Sequence, residues 1–133
     1  MSRQDIIVIG AGLAGMSAAL TAARAGKRVA ILSGGVPGGE LLNIERVDGV
    51  PGHEAGIAGY DLCPITQELA DAAGAQFMLE EATGIAPAGD GWAVATDAGP
   101  MEARALILAT GAAVGKLGVP GEAEFAGRGV SHC

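Results

Sequence analysis

Gly10, Gly12 and Gly15 stand at the G-x-G-x-x-G spacing, and their setting gives that spacing a chemical meaning. The run Ile6 to Ile9 precedes them, four consecutive β-branched residues of the kind that form a strand buried on both faces. Residues 16–25 follow, rich in strong helix formers. Each glycine answers a separate need. Gly10 allows a tight strand-to-helix turn, Gly12 lets backbone approach a pyrophosphate, and Gly15 lets the helix pack closely on the strand. N–H groups at the helix start, with the positive end of the dipole, would then hold phosphates. The chemistry implied is dinucleotide binding; the bland alternative is a structural turn.

The remaining reactive side chains say less. Cys63 and Cys133 are far apart in sequence and make a poor disulfide framework, so a reducing, cytoplasmic setting is the default expectation. Cys63 falls with Pro64 in the first turn of an expected helix and reads as a buried thiol. His53 and His132 lack ligand-spaced companions, so no metal site is expected. In a dinucleotide fold an acid at the end of the second strand holds a ribose, but here that position is Ser33, followed by Gly34 and Gly35. A serine hydroxyl can donate to or accept from a ribose, more weakly than a carboxylate.

The elements that must position these residues follow from pattern. Residues 27–32 read as a second parallel strand after Gly26, completing a βαβ unit. Residues 33–59 hold eight glycines and no convincing period, and such length beside a nucleotide motif points to a cofactor-wrapping loop. Within it, residues 38–42 are expected to begin a short turn of helix. Residues 60–73 are a second helix, with Leu62, Ile65 and Leu69 at helical spacing, and residues 76–79 a third strand. Residues 83–86, 92–96 and 100–103 are short strand-like pieces joined by Gly-Asp-Gly and Asp-Ala-Gly turns, an antiparallel meander inserted between parallel strands. Residues 105–109 form another strand buried on both faces, leading into Thr110-Gly111.

Composition bounds the class. At 133 residues the chain is one domain or a piece of a larger one. Half of it is hydrophobic, yet it holds only one Trp, one Tyr and two Phe, so Ala and Gly must fill much of the interior. The net charge of −7 disfavours nucleic acid and anionic membrane surfaces as partners. No apolar run approaches the ~20 residues of a membrane span. Met1-Ser-Arg-Gln-Asp5 moves straight into a strand, so no signal peptide is expected.

The order of these pieces resembles the FAD domain of low-molecular-weight thioredoxin reductases, within the pyridine nucleotide-disulfide oxidoreductases. The matching parts are the glycine motif, the Gly38-Gly39 loop, the helix, the three-strand insertion, Ala109-Thr110-Gly111 and Gly118-Val-Pro-Gly-Glu122. The sharpest is Gly127-Arg-Gly-Val-Ser-His-Cys133, because in that family such a run leads into a redox-active C-x-x-C. The resemblance implies an α/β, Rossmann-like FAD-binding domain whose parallel sheet carries an inserted three-stranded meander. It implies FAD contacts from Gly10, Gly12, Leu13, Ala14 and Gly15, and from Ser33, Gly34, Gly38, Gly39, Glu40, Leu41 and Asn43. Ala82, Ala109, Thr110 and Gly111 complete that set. Ser33-Gly34 fits the family, whose members often carry a small hydroxyl residue and Gly in place of the ribose acid.

By the same resemblance, NADPH or NADH is the electron donor, a thioredoxin-like or other disulfide protein the acceptor, and the full-length form a homodimer. Residues 1–114 would be the N-terminal part of the FAD/NAD(P)-binding domain and 115–133 a connector toward an NADPH domain. The sequence departs from the family pattern in three places. Glu40 stands where a Gln is usual, and Asp48-Gly49-Val50-Pro51-Gly52 lacks the usual Asn and aromatic. Cys133 matches the first redox cysteine, with no second one in the sequence. Disulfide exchange needs an attacking and a resolving thiol, so the chain alone is expected to be an inactive fragment that holds FAD weakly. Two alternatives stand beside this: a ferredoxin-NADP reductase-like flavoprotein without a dithiol, and a non-catalytic nucleotide-binding module.

Overall fold

A computed structural model describes residues 3–113 and 115–131. Six strands form one sheet in the order β3-β2-β1-β6-β5-β4. They are β1 (Gln4–Ile9), β2 (Val29–Leu32), β3 (Gln76–Met78), β4 (Ala82–Ala88), β5 (Gly91–Thr96) and β6 (Gly99–Leu108). Helices α1 (Leu13–Arg24) and α2 (Gly59–Ala72) connect the parallel strands, and a 3-10 helix spans Gly39–Asn43. β1 pairs in parallel with β2 on one side and β6 on the other, and β2 with β3. β4, β5 and β6 pair antiparallel. Strands with apolar residues on both faces need two covers, and each face has one. On one face Val8, Val29 and Ile31 pack with Ala19 and Ala23 of α1 and Ala70 of α2. On the other, Ile7, Ala30 and Leu32 pack with Val94, Met101 and Ala103, so the meander closes over the side the helices leave bare.

Two sequence expectations are corrected in detail. α1 begins at Leu13 rather than residue 16, because Gly15 is accommodated within its first turn. Residues 100–103 and 105–109 are one continuous strand, β6. Ala103 is its hinge of pairing, opposite Trp92 on β5 and Gln4 on β1, so one strand serves both the meander and the parallel sheet. The meander therefore occupies one end of the sheet in space, although the chain inserts it between parallel strands. Residues 115–131 contain no named helix or strand. They are tied locally, with the Leu117 and Gly118 N–H groups donating to the Glu122 carboxylate at 2.9 and 2.7 Å.

Candidate dinucleotide-binding site

The carboxyl ends of the parallel strands are drawn level by hydrogen bonds just past each strand. Ala109 N donates to Ile9 O (2.8 Å), Gly10 N to Leu32 O (2.8 Å) and Ser33 N to Met78 O (2.9 Å). This is the edge at which open α/β sheets bind ligands. Gly10 turns the chain out of β1 with φ +106°, and a Cβ there would fall on the Ala109 carbonyl. No residue with a side chain fits that turn.

From Gly10 the chain enters α1, whose first helical bond runs from Met16 N to Gly12 O at 3.0 Å. No side chain caps this helix start, and its first turn carries no acid. Its leading N–H groups and dipole face the cleft, and no acid of the helix's own first turn offsets them. The 33–41 loop comes back across the same turn: Gly38 N donates to Ala11 O at 2.8 Å, and Gly12 and Gly38 form an isolated parallel bridge. A Cβ on Gly39 would lie 3.6 Å from Gly12 Cα, so loop and turn approach backbone to backbone. Beneath the loop, the buried Cys63 thiol donates to Gly38 O at 3.5 Å, and burial pushes its pKa up. This placement matches the expected buried thiol, and it makes Cys63 a support of the loop.

The result is a cleft of about 470 Å³. Of the expected residues it is lined by Gly10, Gly12, Leu13, Ala14, Ser33, Gly38, Gly39, Glu40, Leu41, Ala109, Thr110 and Gly111. A second cleft, of about 280 Å³, shares Gly10, Ser33 and Thr110 with the first and adds Gly34 and Ala82. Gly15 does not line either. It is buried, and a Cβ there would strike the Gly10 carbonyl, so its part is to seat the helix on the turn. Asn43 ends the 3-10 helix outside both linings. Cys133 lies outside the described residues. Ser33 has its proton committed, since Oγ donates to Met78 O at 3.1 Å, so towards a ligand it is left as an acceptor. Ala11, Val36 and Ala112 line the larger cleft and Ile9, Leu32 and Glu81 the smaller, six residues outside the set expected to contact the cofactor. Val36, in a loop that pattern did mark, is 82% exposed; Glu81 had no local signal at all.

A parallel sheet with a glycine-lined cleft at a strand–turn–helix junction defines a dinucleotide-binding fold. The family described as pyridine nucleotide-disulphide oxidoreductase matches residues 4–133, and the chain belongs to it. Its relatives include the thioredoxin reductase of Treponema pallidum (strain Nichols), 41% identical over 129 residues, or 97% of this chain and 42% of the relative. The thioredoxin reductase of Bacillus subtilis (strain 168) is 40% identical over 97% of this chain and 40% of its own length. Among solved structures, Lactococcus lactis thioredoxin reductase superposes with a TM-score of 0.87 at 37% identity, covering 98% of this chain and 43% of that one. The chain therefore spans about two-fifths of the length of the curated relatives it matches.

Proposed function

We propose that this chain carries the pyrophosphate-gripping side of the FAD site of a NAD(P)H-dependent, thioredoxin reductase-like flavoprotein. One observation carries the reading. A Cβ built on Gly12 meets nothing within 4 Å, in a cleft lined mainly by glycines and small residues, with Leu13, Val36, Glu40 and Leu41 among them. Protein packing does not demand a glycine there, whereas a close-approaching ligand does. The residues present fit such a group. Leu13 and Ala14 open a helix start free of acids, suited to phosphate oxygens. Gly38 to Leu41 hold the loop along the cleft, and Ala109 to Gly111 close its far wall.

Bound FAD would supply the redox chemistry, taking electrons from NAD(P)H and passing them to a disulfide. This chain's residues bind and orient it. Glu40, exposed at the start of the 3-10 helix, places a carboxylate in the lining. Cys133 is proposed as one thiol of a redox pair in a longer protein, with a thioredoxin-like partner. The homodimer, the cytoplasmic setting and the split into a 1–114 domain portion and a 115–133 connector belong to the same proposal. The test is calorimetric titration of the chain with FAD. One equivalent should bind, with a dissociation constant weaker than about 1 µM, roughly −8 kcal/mol. Absence of saturable binding would refute the reading.

A further inference from the structure

Dinucleotide folds hold the ribose with an acid at the end of the second strand, and β2 here ends in Ser33, whose hydroxyl proton is committed to Met78 O. The fold brings an acid, Glu81, beside the end of β2 from the connection between β3 and β4. Past β3 the chain runs beside the end of β2, where Gly34 N donates to Glu80 O at 3.2 Å. Gly34 has φ +63°, and a Cβ there would lie 3.7 Å from Glu81 Cγ. Glu81 lines the smaller cleft with Gly10, Ser33, Gly34, Ala82 and Thr110.

Its backbone is fixed at both polar atoms. Glu81 N donates to Asp97 Oδ1 at 3.0 Å, and Glu81 O accepts from Asp97 N at 3.2 Å. Among the described residues its carboxylate enters no ion pair. We propose that Glu81 is the ribose-binding acid of this site, its carboxylate accepting hydrogen bonds from the adenosine ribose hydroxyls in place of an acid on β2. Asp97, from the turn between β5 and β6, is the positioning residue. The proposal rests on the reading of the larger cleft as an FAD site. It gives the meander a part in binding: its β5–β6 turn holds the acid that β2 lacks. A hydroxyl-to-carboxylate hydrogen bond is charge-assisted, and so stronger than one to the Ser33 oxygen.

The ligands that isolate this contact are FAD and its 2′-deoxyadenosine analogue, titrated into the native protein and Glu81→Ala with flavin fluorescence as readout. The native protein should prefer FAD about tenfold, the order expected of one exposed hydrogen bond to a charged group. Glu81→Ala should erase that preference and leave affinity for the deoxy analogue within about twofold. A native protein that binds both ligands equally overturns the proposal, as does a variant that keeps the full preference. Equal weakening of both ligands in the variant marks a structural role and also overturns it. If the native protein binds no FAD, the reading of the larger cleft fails first, which separates the two claims.

Discussion

Gly12 and Gly15 sit one helical turn apart at the start of α1 and answer opposite demands. A Cβ at Gly15 would strike the Gly10 carbonyl and lie 3.3 Å from Val8 Cγ1, so the chain itself requires glycine there. Gly12 has φ −75°, which any residue adopts, and open space where its side chain would be. The motif thus divides into a residue that seats the helix and one that leaves room. Cys63 illustrates a thiol decided by its surroundings. It is 2% exposed, bonded to Gly38 O, and its pKa is raised by burial, so thiolate is scarce at neutral pH. A thiol reagent applied to the native protein, followed by peptide mass mapping, should leave Cys63 unlabelled until denaturant is added. Labelling of Cys63 under native conditions at the rate of a free thiol would contradict its placement beneath the loop.

At the scale of elements, β1 and β2 are clasped at their amino ends by Asp5 and Arg28. The Arg28 backbone N–H and Nε both donate to Asp5 Oδ2, at 2.9 and 3.3 Å, and Nη2 donates to Oδ1 at 3.2 Å. The Arg28 side-chain bonds, then its backbone N–H, hold the Asp5 carboxyl down to about 2. An unfolded aspartate titrates near pH ~3.9. A depressed folded pKa means the clasp stabilises fully above that value and is lost as pH falls toward 2. Asp5→Asn should therefore lower Tm at pH 7, and the gap to the native protein should close between about pH 4 and pH 2. A gap that stays constant over that interval would show that the charge does not matter.

The sequence made β1, the glycine turn and α1 legible because their signals are local: a β-branched run, a fixed spacing, then helix formers. β6 was not legible as one strand. Arg104 interrupts its apolar run, and its continuity comes from partners distant in sequence, β5 on one side and β1 on the other. For the same reason pattern found Ser33 and missed Glu81. The first sits at a motif distance from the glycines; the second reaches the site only through pairing of the chain after β3 with the end of β2 and with Asp97.

At the scale of the molecule, the residues that line the larger cleft come from the chain just past β1, β2 and β6, the start of α1 and the loop running into the 3-10 helix. The chain matches about two-fifths of its curated relatives' length, and the cleft gains no wall from residues 115–131. A cofactor gripped from one side forgoes contacts that each cost about tenfold per ~1.4 kcal/mol when absent, which is why the expected affinity is modest. The grip is proposed to fall on a pyrophosphate brought against Gly12. FAD titration of the native chain and Gly12→Val, with thermal unfolding run in parallel, separates cofactor contact from folding at this position. The predicted result is a Tm unchanged within a few degrees and a dissociation constant raised about tenfold or more, a loss of at least ~1.4 kcal/mol. Equal FAD affinity in the two proteins would contradict it, and would mean the open space at Gly12 is not where the cofactor lies.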